Sequence, residues 1–349
     1  RKYSGNLYKF VRKTERVRKM EKSKNRILWV DASRGIAMLL VILGHCIGSL
    51  NDPGYKFILS FHMPLFFFLS GYCAKKEEQF RPYLKKKAKE LLVPQLLFGV
   101  LECWIDMMSD RPGEIDILND FLGWFLLVLF YVSIVFWLIQ TFGYEKKRTI
   151  RFGVFIIDFI LIIILERLQV STLLHIEVVP MALLFFLLGY QCRRSAFFES
   201  KIYQVISSVW IFLIPVVAIC SSCNAPVTMY TNNYGNYPLF FIGAIGGIFF
   251  ICEIGKRIQD NQIIIWIGKN TIYFFVLHFV AIKGLHFIGK LVFSKASFSN
   301  YSYPIYWMYF IVCILVLLPV AWICNRWFSP LFGKNKERGK QKGENRGNG

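Results

Sequence analysis

Apolar residues in this chain run in long blocks separated by short polar stretches. Ten blocks stand out, at 27–50, 56–74, 91–108, 121–142, 152–165, 174–192, 203–221, 238–255, 271–290 and 304–325. The fifth is the shortest. Apolar runs of about 18 residues or more are what a helix needs to cross the ~30 Å hydrocarbon layer. The pattern therefore predicts an all-α fold, a polytopic membrane helix bundle of about ten transmembrane helices.

The polar stretches between the blocks differ sharply in charge. Residues 1–26, the loop "KKEEQFRPYLKKKAKE", "GYEKKRTIR", "RRSAFFESK", "KRIQDNQ" and the tail from Arg326 together carry 34 of the 42 Lys and Arg residues. The intervening loops carry Arg111, Arg167, Lys290 and Lys295. Basic loops stay on the cytoplasmic side, so ten crossings predict both termini in the cytoplasm. The expected organisation is a basic segment at 1–26, a membrane domain at 27–325 and a basic, disordered cytoplasmic tail at 326–349. The chain opens on Arg1, and no short apolar segment ends in a small-residue cleavage pattern, so a trimmed N-terminus is expected rather than a secretory signal.

Composition agrees with the pattern. Hydrophobic residues make up 55 % and charged residues 18 %, with mean hydropathy +0.44, outside the range of soluble domains of this size. The net charge of +20 lies in juxtamembrane segments rather than on one folded basic domain. It reads as anchoring to the lipid bilayer and not as nucleic-acid binding. Nine cysteines are scattered over the blocks, with Cys220 and Cys223 the close pair, and no metal site is legible among them. They read as small buried side chains, although a Cys220–Cys223 disulfide is a second option. No strong internal repeat is evident.

The first block, "RILWVDASRGIAMLLVILGHC", retains Asp31, Arg34 and His45 in otherwise apolar surroundings. On a helix turning 100° per residue, the three fall within a ~60° arc, and Arg34 and His45 are about 16 Å apart along the axis. That span is comparable to an extended pantetheine arm. Arginine suits phosphates, which its planar fork can bind bidentately, and histidine suits proton transfer near neutral pH. A simpler reading makes Asp31 and Arg34 an i,i+3 ion pair at the membrane edge and His45 a hydrogen-bonded bundle residue.

These residues also carry a resemblance. "RILWVDASRGIAMLLVILGH" is similar to the first-helix signature of the integral membrane acyltransferase family 3, and "SFHMPLFFFLSGY", "KKKAKELLVPQLLF", "GWFLLVLF", "PMALLFFLLGY" and "IGKNTIYFFVLHF" resemble its later motifs, in order. The wording is most similar to the branch of fucose 4-O-acetylase-like proteins. The resemblance implies an O-acetyltransferase that moves an acyl group, usually acetyl, from cytoplasmic acetyl-CoA to a hydroxyl of a carbohydrate or glycolipid acceptor in the cell envelope. It implies a multi-pass protein of the bacterial cytoplasmic membrane, working alone or with a separate extracytoplasmic transferase, and no metal. His45 and Asp31 become the candidate catalytic residues and Arg34 the ligand of acyl-CoA phosphate. His45 would act as general base on the acceptor hydroxyl, or carry the acyl group itself. Asp31 would fix Arg34.

Four further residues are candidate pocket positions. His62 opens the second span at a depth similar to His45, and Met63-Pro64 beside it is expected to kink the helix. His278 lies about 10 Å into the ninth span. Ser70 with Gly71 allows close helix approach near the cytoplasmic side. Glu102, like Asp106, Asp158 and Glu177, is an acid that could orient an imidazole, and Glu102 and Asp106 lie i,i+4 on one helix face. Each of these four also has a packing explanation.

The basic loop 75–89 would draw an anionic donor to the cytoplasmic mouth, or merely fix topology. The loop "NAPVTMYTNNYGNYP" sets Tyr230, Tyr234 and Tyr237 among Asn residues, as in sugar sites or interfacial belts. His175 and His286 are expected to be interfacial. Two other classes stay open, a transporter using the same polar stripe and a subunit passing acyl groups to a separate transferase.

Overall fold

The computed structural model describes residues 26–77, 79–108, 123–293 and 303–328. The expectations for most of 1–26, for the tail beyond 328 and for the side chains of Asp106 and His286 lie outside the described residues. Among the described residues the chain is helical and forms no sheet, only an isolated bridge between Thr228 and Asn233. We number the α-helices α1 Leu28–Ile47, α2 Pro53–Leu59, α3 His62–Tyr72, α4 Phe80–Lys87, α5 Val93–Met108, α6 Trp124–Thr141 and α7 Arg148–Arg167. The rest are α8 Val179–Arg194, α9 Lys201–Ser208, α10 Leu213–Cys223, α11 Tyr237–Arg257, α12 Gln262–Lys269, α13 Thr271–Phe293 and α14 Tyr303–Trp327.

The described parts of all ten apolar blocks are mainly helical, but among the described residues fewer than ten helices are long and apolar enough to count as crossings by length and composition alone. Among the described residues five segments are long and apolar enough: Leu28–Ile47, Trp124–Thr141, Ile176–Arg194, Tyr237–Arg257 and Pro304–Trp327. Two bent pairs, α9 with Trp210–Cys223 at 70° and α12 with Thr271–Leu285 at 83°, raise the number to seven. The shortfall has local causes. Block 56–74 is cut at Ser60–Phe61, α5 has 16 residues, and α7 carries Arg148, Arg151, Asp158, Glu166 and Arg167 in its 20.

The cut at Ser60–Phe61 corrects the expected kink at Met63-Pro64. Pro64 occupies the third position of α3, where no intrahelical N–H bond is lost; the break precedes it, with Phe61 at φ −140 and ψ −17. Upstream, α1 stops at Gly48, which adopts φ +66 and donates to the Gly44 carbonyl. Asp52 then caps α2 by accepting from the Tyr55 N–H, with Pro53 at the first helical position.

Two close helix contacts set the bundle. α3 and α8 cross where "FLSGY" meets "FLLGY": a Cβ at Gly71 would overlap the Phe186 carbonyl, and one at Gly189 the Phe68 carbonyl. α12 lies on α1 in the same way, through Gly35 against Ile264 and Gly268 against Asp31. Backbone cannot rotate out of such a clash. Gly71→Ala should therefore lower the stability of the detergent-solubilised protein by about 1–3 kcal/mol, read as a fall in Tm. Gly153→Ala, where a Cβ meets nothing within 4 Å, should cause no loss.

The basic loops gather at one end of the bundle. There Tyr83 donates to the Ser133 carbonyl (3.2 Å) and Trp137 to the Glu77 carbonyl (3.0 Å). Glu145 is reached by Tyr190 and Lys76. Arg193 covers the Tyr72 ring at 5.3 Å, and Lys256 sits 4.0 Å from the Tyr203 ring centroid. The opposite end holds the loops before α8 and α11, joined by the His175 ring donating to the Tyr230 carbonyl at 3.1 Å.

Candidate active site

α1 runs unbroken from Leu28 to Ile47, so Arg34 and His45 share one face, as the stripe predicts. Their surroundings differ. Arg34, half-buried, donates from Nη2 to the Leu69 carbonyl of α3 at 3.2 Å, beside the half-buried Ser70. Lys87 at the end of α4 interacts electrostatically with Arg34. Burial pushes the Lys87 ammonium below its ordinary range, with Glu90, 3.6 Å away, acting in the opposite sense. Two cations thus stand together at the basic end, where an anionic group would relieve their repulsion.

Asp31 does not join them. It pairs with Arg26, whose Nε donates to Oδ2 at 2.6 Å, while its own carbonyl lies against Gly268. The expectation that Asp31 fixes Arg34 is corrected accordingly. Arg26 stands at the start of the first-helix motif, five residues before Asp31, and the i,i+3 spacing to Arg34 drew the expected pairing away from it. Asp31, 4 % exposed, anchors the start of α1 instead.

Farther along α1 the structure brings three of the five histidines together. The His45 ring, half-buried, lies 5.1 Å from the His278 ring and 4.5 Å from the Phe279 ring of α13, and 6.5 Å from the Tyr55 ring of α2. His62 and His278 are the two histidines with which it interacts electrostatically. His62 opens α3, and its Nδ1 donates to the Ile58 carbonyl across the helix break at 2.9 Å. His278 is 1 % exposed, with Nδ1 2.5 Å from the Phe275 carbonyl. The depth arithmetic anticipates His62 near the level of His45; it set His278 only about 10 Å into its span, at a different level, and the contact of the His278 and His45 rings corrects that.

Glu102 lies elsewhere. Its carboxylate pairs with Lys283 of α13 at 3.0 Å, five residues beyond His278. Lys283 is a charge inside an apolar block, and such a charge signals a partner; the partner, 181 residues away, is a matter of tertiary packing. Removing one member strands the other in a poor solvent for charge. Lys283→Ala should cost about 3 kcal/mol, seen as a lower Tm in detergent, and the added change Glu102→Gln should recover much of it.

Glu177 and the Asn- and Tyr-rich loop before α11 are held by contacts of their own. Glu177 accepts from Thr172 at 2.6 Å and lies 3.9 Å from His175, so His175, 8 % exposed, ties two loops together rather than facing outward. Asp158 is buried on α7. Tyr234 is fully buried, and Asn224 spends its amide on the Tyr234 carbonyl and the Asn236 N–H. Tyr230, 48 % exposed, remains open. Cys220 and Cys223 are both free thiols.

Comparison with known proteins gives this arrangement a family. A profile described as "Acyltransferase domain" matches residues 27–326. Two curated relatives, each named "Nodulation protein NolL", are similar over part of the chain. The protein from Mesorhizobium japonicum is 30 % identical over 142 residues, 35 % of this chain and 38 % of its own length. The one from Sinorhizobium fredii is 29 % identical over 124 residues, 30 % of this chain and 34 % of its own length. The matches thus span little more than a third of either relative. With the profile running from the first turn of α1 almost to the end of α14, the chain belongs to acyltransferase family 3.

Proposed function

We propose that this chain is a membrane O-acyltransferase that carries an acyl group, acetyl above all, from acyl-CoA to a hydroxyl of an envelope carbohydrate or glycolipid. The observation that carries the reading is the single stripe on α1, with Arg34 at the basic end, faced there by Lys87 of α4, and His45 among histidines about 16 Å along the axis. The basic end faces the cytoplasm in this reading, both termini lie there, and the chain crosses the bacterial cytoplasmic membrane ten times.

Arg34 and Lys87 hold the donor's phosphates, where charge-assisted hydrogen bonds are strong. His45 takes the proton of the acceptor hydroxyl as its oxygen attacks the thioester carbonyl carbon. The C–O bond forms, the C–S bond breaks, and the proton passes to the departing CoA thiolate. His62 lines the same chamber, Ser70 borders the donor channel beside Arg34, and Asp31 and Glu102 hold the helices that carry the site.

Sealed inside-out vesicles supplied with labelled acetyl-CoA test this reading. Label should appear in envelope carbohydrate as a base-labile ester, with one free CoA thiol per ester formed. Label reaching the lumen without ester formation unless a second, extracytoplasmic protein is added would favour an acyl-passing subunit. Solute flux with no CoA release would favour a transporter.

A further inference from the structure

His278 has one nitrogen too many for a packing residue. Its Nδ1 faces the Phe275 carbonyl at 2.5 Å, and a carbonyl only accepts, so the proton sits on Nδ1 and Nε2 carries a bare lone pair. That Nε2 is buried and has no hydrogen-bond partner, in a side chain only 1 % exposed. A buried acceptor left unmade costs free energy unless something uses it. The neighbouring polar ring is His45, with centroids 5.1 Å apart and planes inclined at 42°.

His45 has the complementary need. A neutral imidazole that takes a proton with one nitrogen carries N–H on the other, and catalytic histidines have that N–H held by an acceptor. Among the described residues no carboxylate hydrogen-bonds to His45; Asp31 is held by Arg26 and Glu102 by Lys283. His62 also exposes a lone pair at Nε2, because its Nδ1 donates to Ile58. His278 is the stronger candidate: its ring packs on both His45 and the adjoining Phe279, and its buried Nε2 has no partner.

We infer that His278 is the positioning residue of His45: its bare Nε2, unpartnered in this structure, takes up the His45 N–H during turnover and holds the tautomer whose other nitrogen faces the acceptor hydroxyl. A neutral imidazole here fills the place that a carboxylate fills in a triad. The inference rests on the acyl-transfer reading above.

Two substitutions at His278 separate this role from packing, assayed by acetyl transfer from acetyl-CoA in reconstituted proteoliposomes. His278→Phe keeps a ring but has no acceptor; His278→Gln has a carbonyl acceptor but no ring. The expected result is that His278→Phe lowers kcat about tenfold with the acetyl-CoA KM within about twofold, while His278→Gln keeps most of the activity. In a His45→Ala background, His278→Phe should cost nothing further. A ring needed only for packing reverses the order, with Phe active and Gln impaired, and that result, or equal loss in both variants, overturns the inference. If the unaltered protein forms no ester at all, the acyl-transfer reading itself falls instead.

Discussion

His45→Ala is expected to reduce kcat for acyl transfer by about 10²- to 10⁴-fold, the range that a positioned general base contributes, while leaving the acyl-CoA KM nearly unchanged. The KM should hold because Arg34, assigned the phosphates with Lys87 of α4, lies about 16 Å from His45 along α1 and contacts α3 rather than His45. The protein should still fold. His45 makes ring contacts with Tyr55, His278 and Phe279 but accepts no load from the glycine crossings that fix α1 against α12. The check is initial-rate kinetics in proteoliposomes beside a thermal unfolding curve. A mutant that loses activity together with its Tm would make His45 a structural residue.

Arg34→Ala should show the opposite split. Losing a charge-assisted contact to phosphate costs about 1.5–3 kcal/mol, or a roughly 10- to 150-fold rise in the acyl-CoA KM, with kcat at saturating donor changed much less. Arg34→Lys should recover only part of this, because an ammonium cannot reproduce the bidentate fork. The Leu69 carbonyl that Arg34 contacts would lose one donor, a smaller effect that leaves the crossing of α3 and α8 intact. A donor titration of kcat and KM for the three proteins decides it. A fall in kcat with constant KM would move Arg34 out of the donor site.

Much of this was legible in the chain because the relevant signals are local. The ten apolar blocks fall on helices, and the i,i+3,i+14 placing of Asp31, Arg34 and His45 survives since α1 is unbroken. Depth along a span, a matter of counting residues, put His62 at the level of His45 but left His278 about 10 Å into its span; the 83° bend between α12 and α13 is not visible to such a count. What escaped was set by neighbours distant in sequence. Asp31 pairs with Arg26, while Arg34 turns to the Leu69 carbonyl of α3, a contact 35 positions away. Lys283 takes Glu102 across 181 positions. The break at Phe61 lies ahead of Pro64, since a proline near a helix start removes no bond and need not bend the chain. α12 was hidden too: the eight residues Gln262–Lys269 belong with the block that follows by composition, yet Gly35 and Gly268 let them lie flat on α1. The Asn and Tyr residues before α11 look like a sugar platform in sequence, but Asn224 spends both ends of its amide within the loop and Tyr234 is buried.

The central claim is that one face of α1 joins a donor site at its basic end to an acid–base site farther in. The measurement that tests it most directly is the steady-state kinetics of acetyl-CoA thiol release and ester formation by the unaltered protein, Arg34→Ala and His45→Ala, in proteoliposomes with donor supplied at the basic face. The account predicts equal amounts of thiol and ester, a raised KM for Arg34→Ala and a collapsed kcat for His45→Ala. Unchanged kinetics in both variants, with ester still formed, would contradict it.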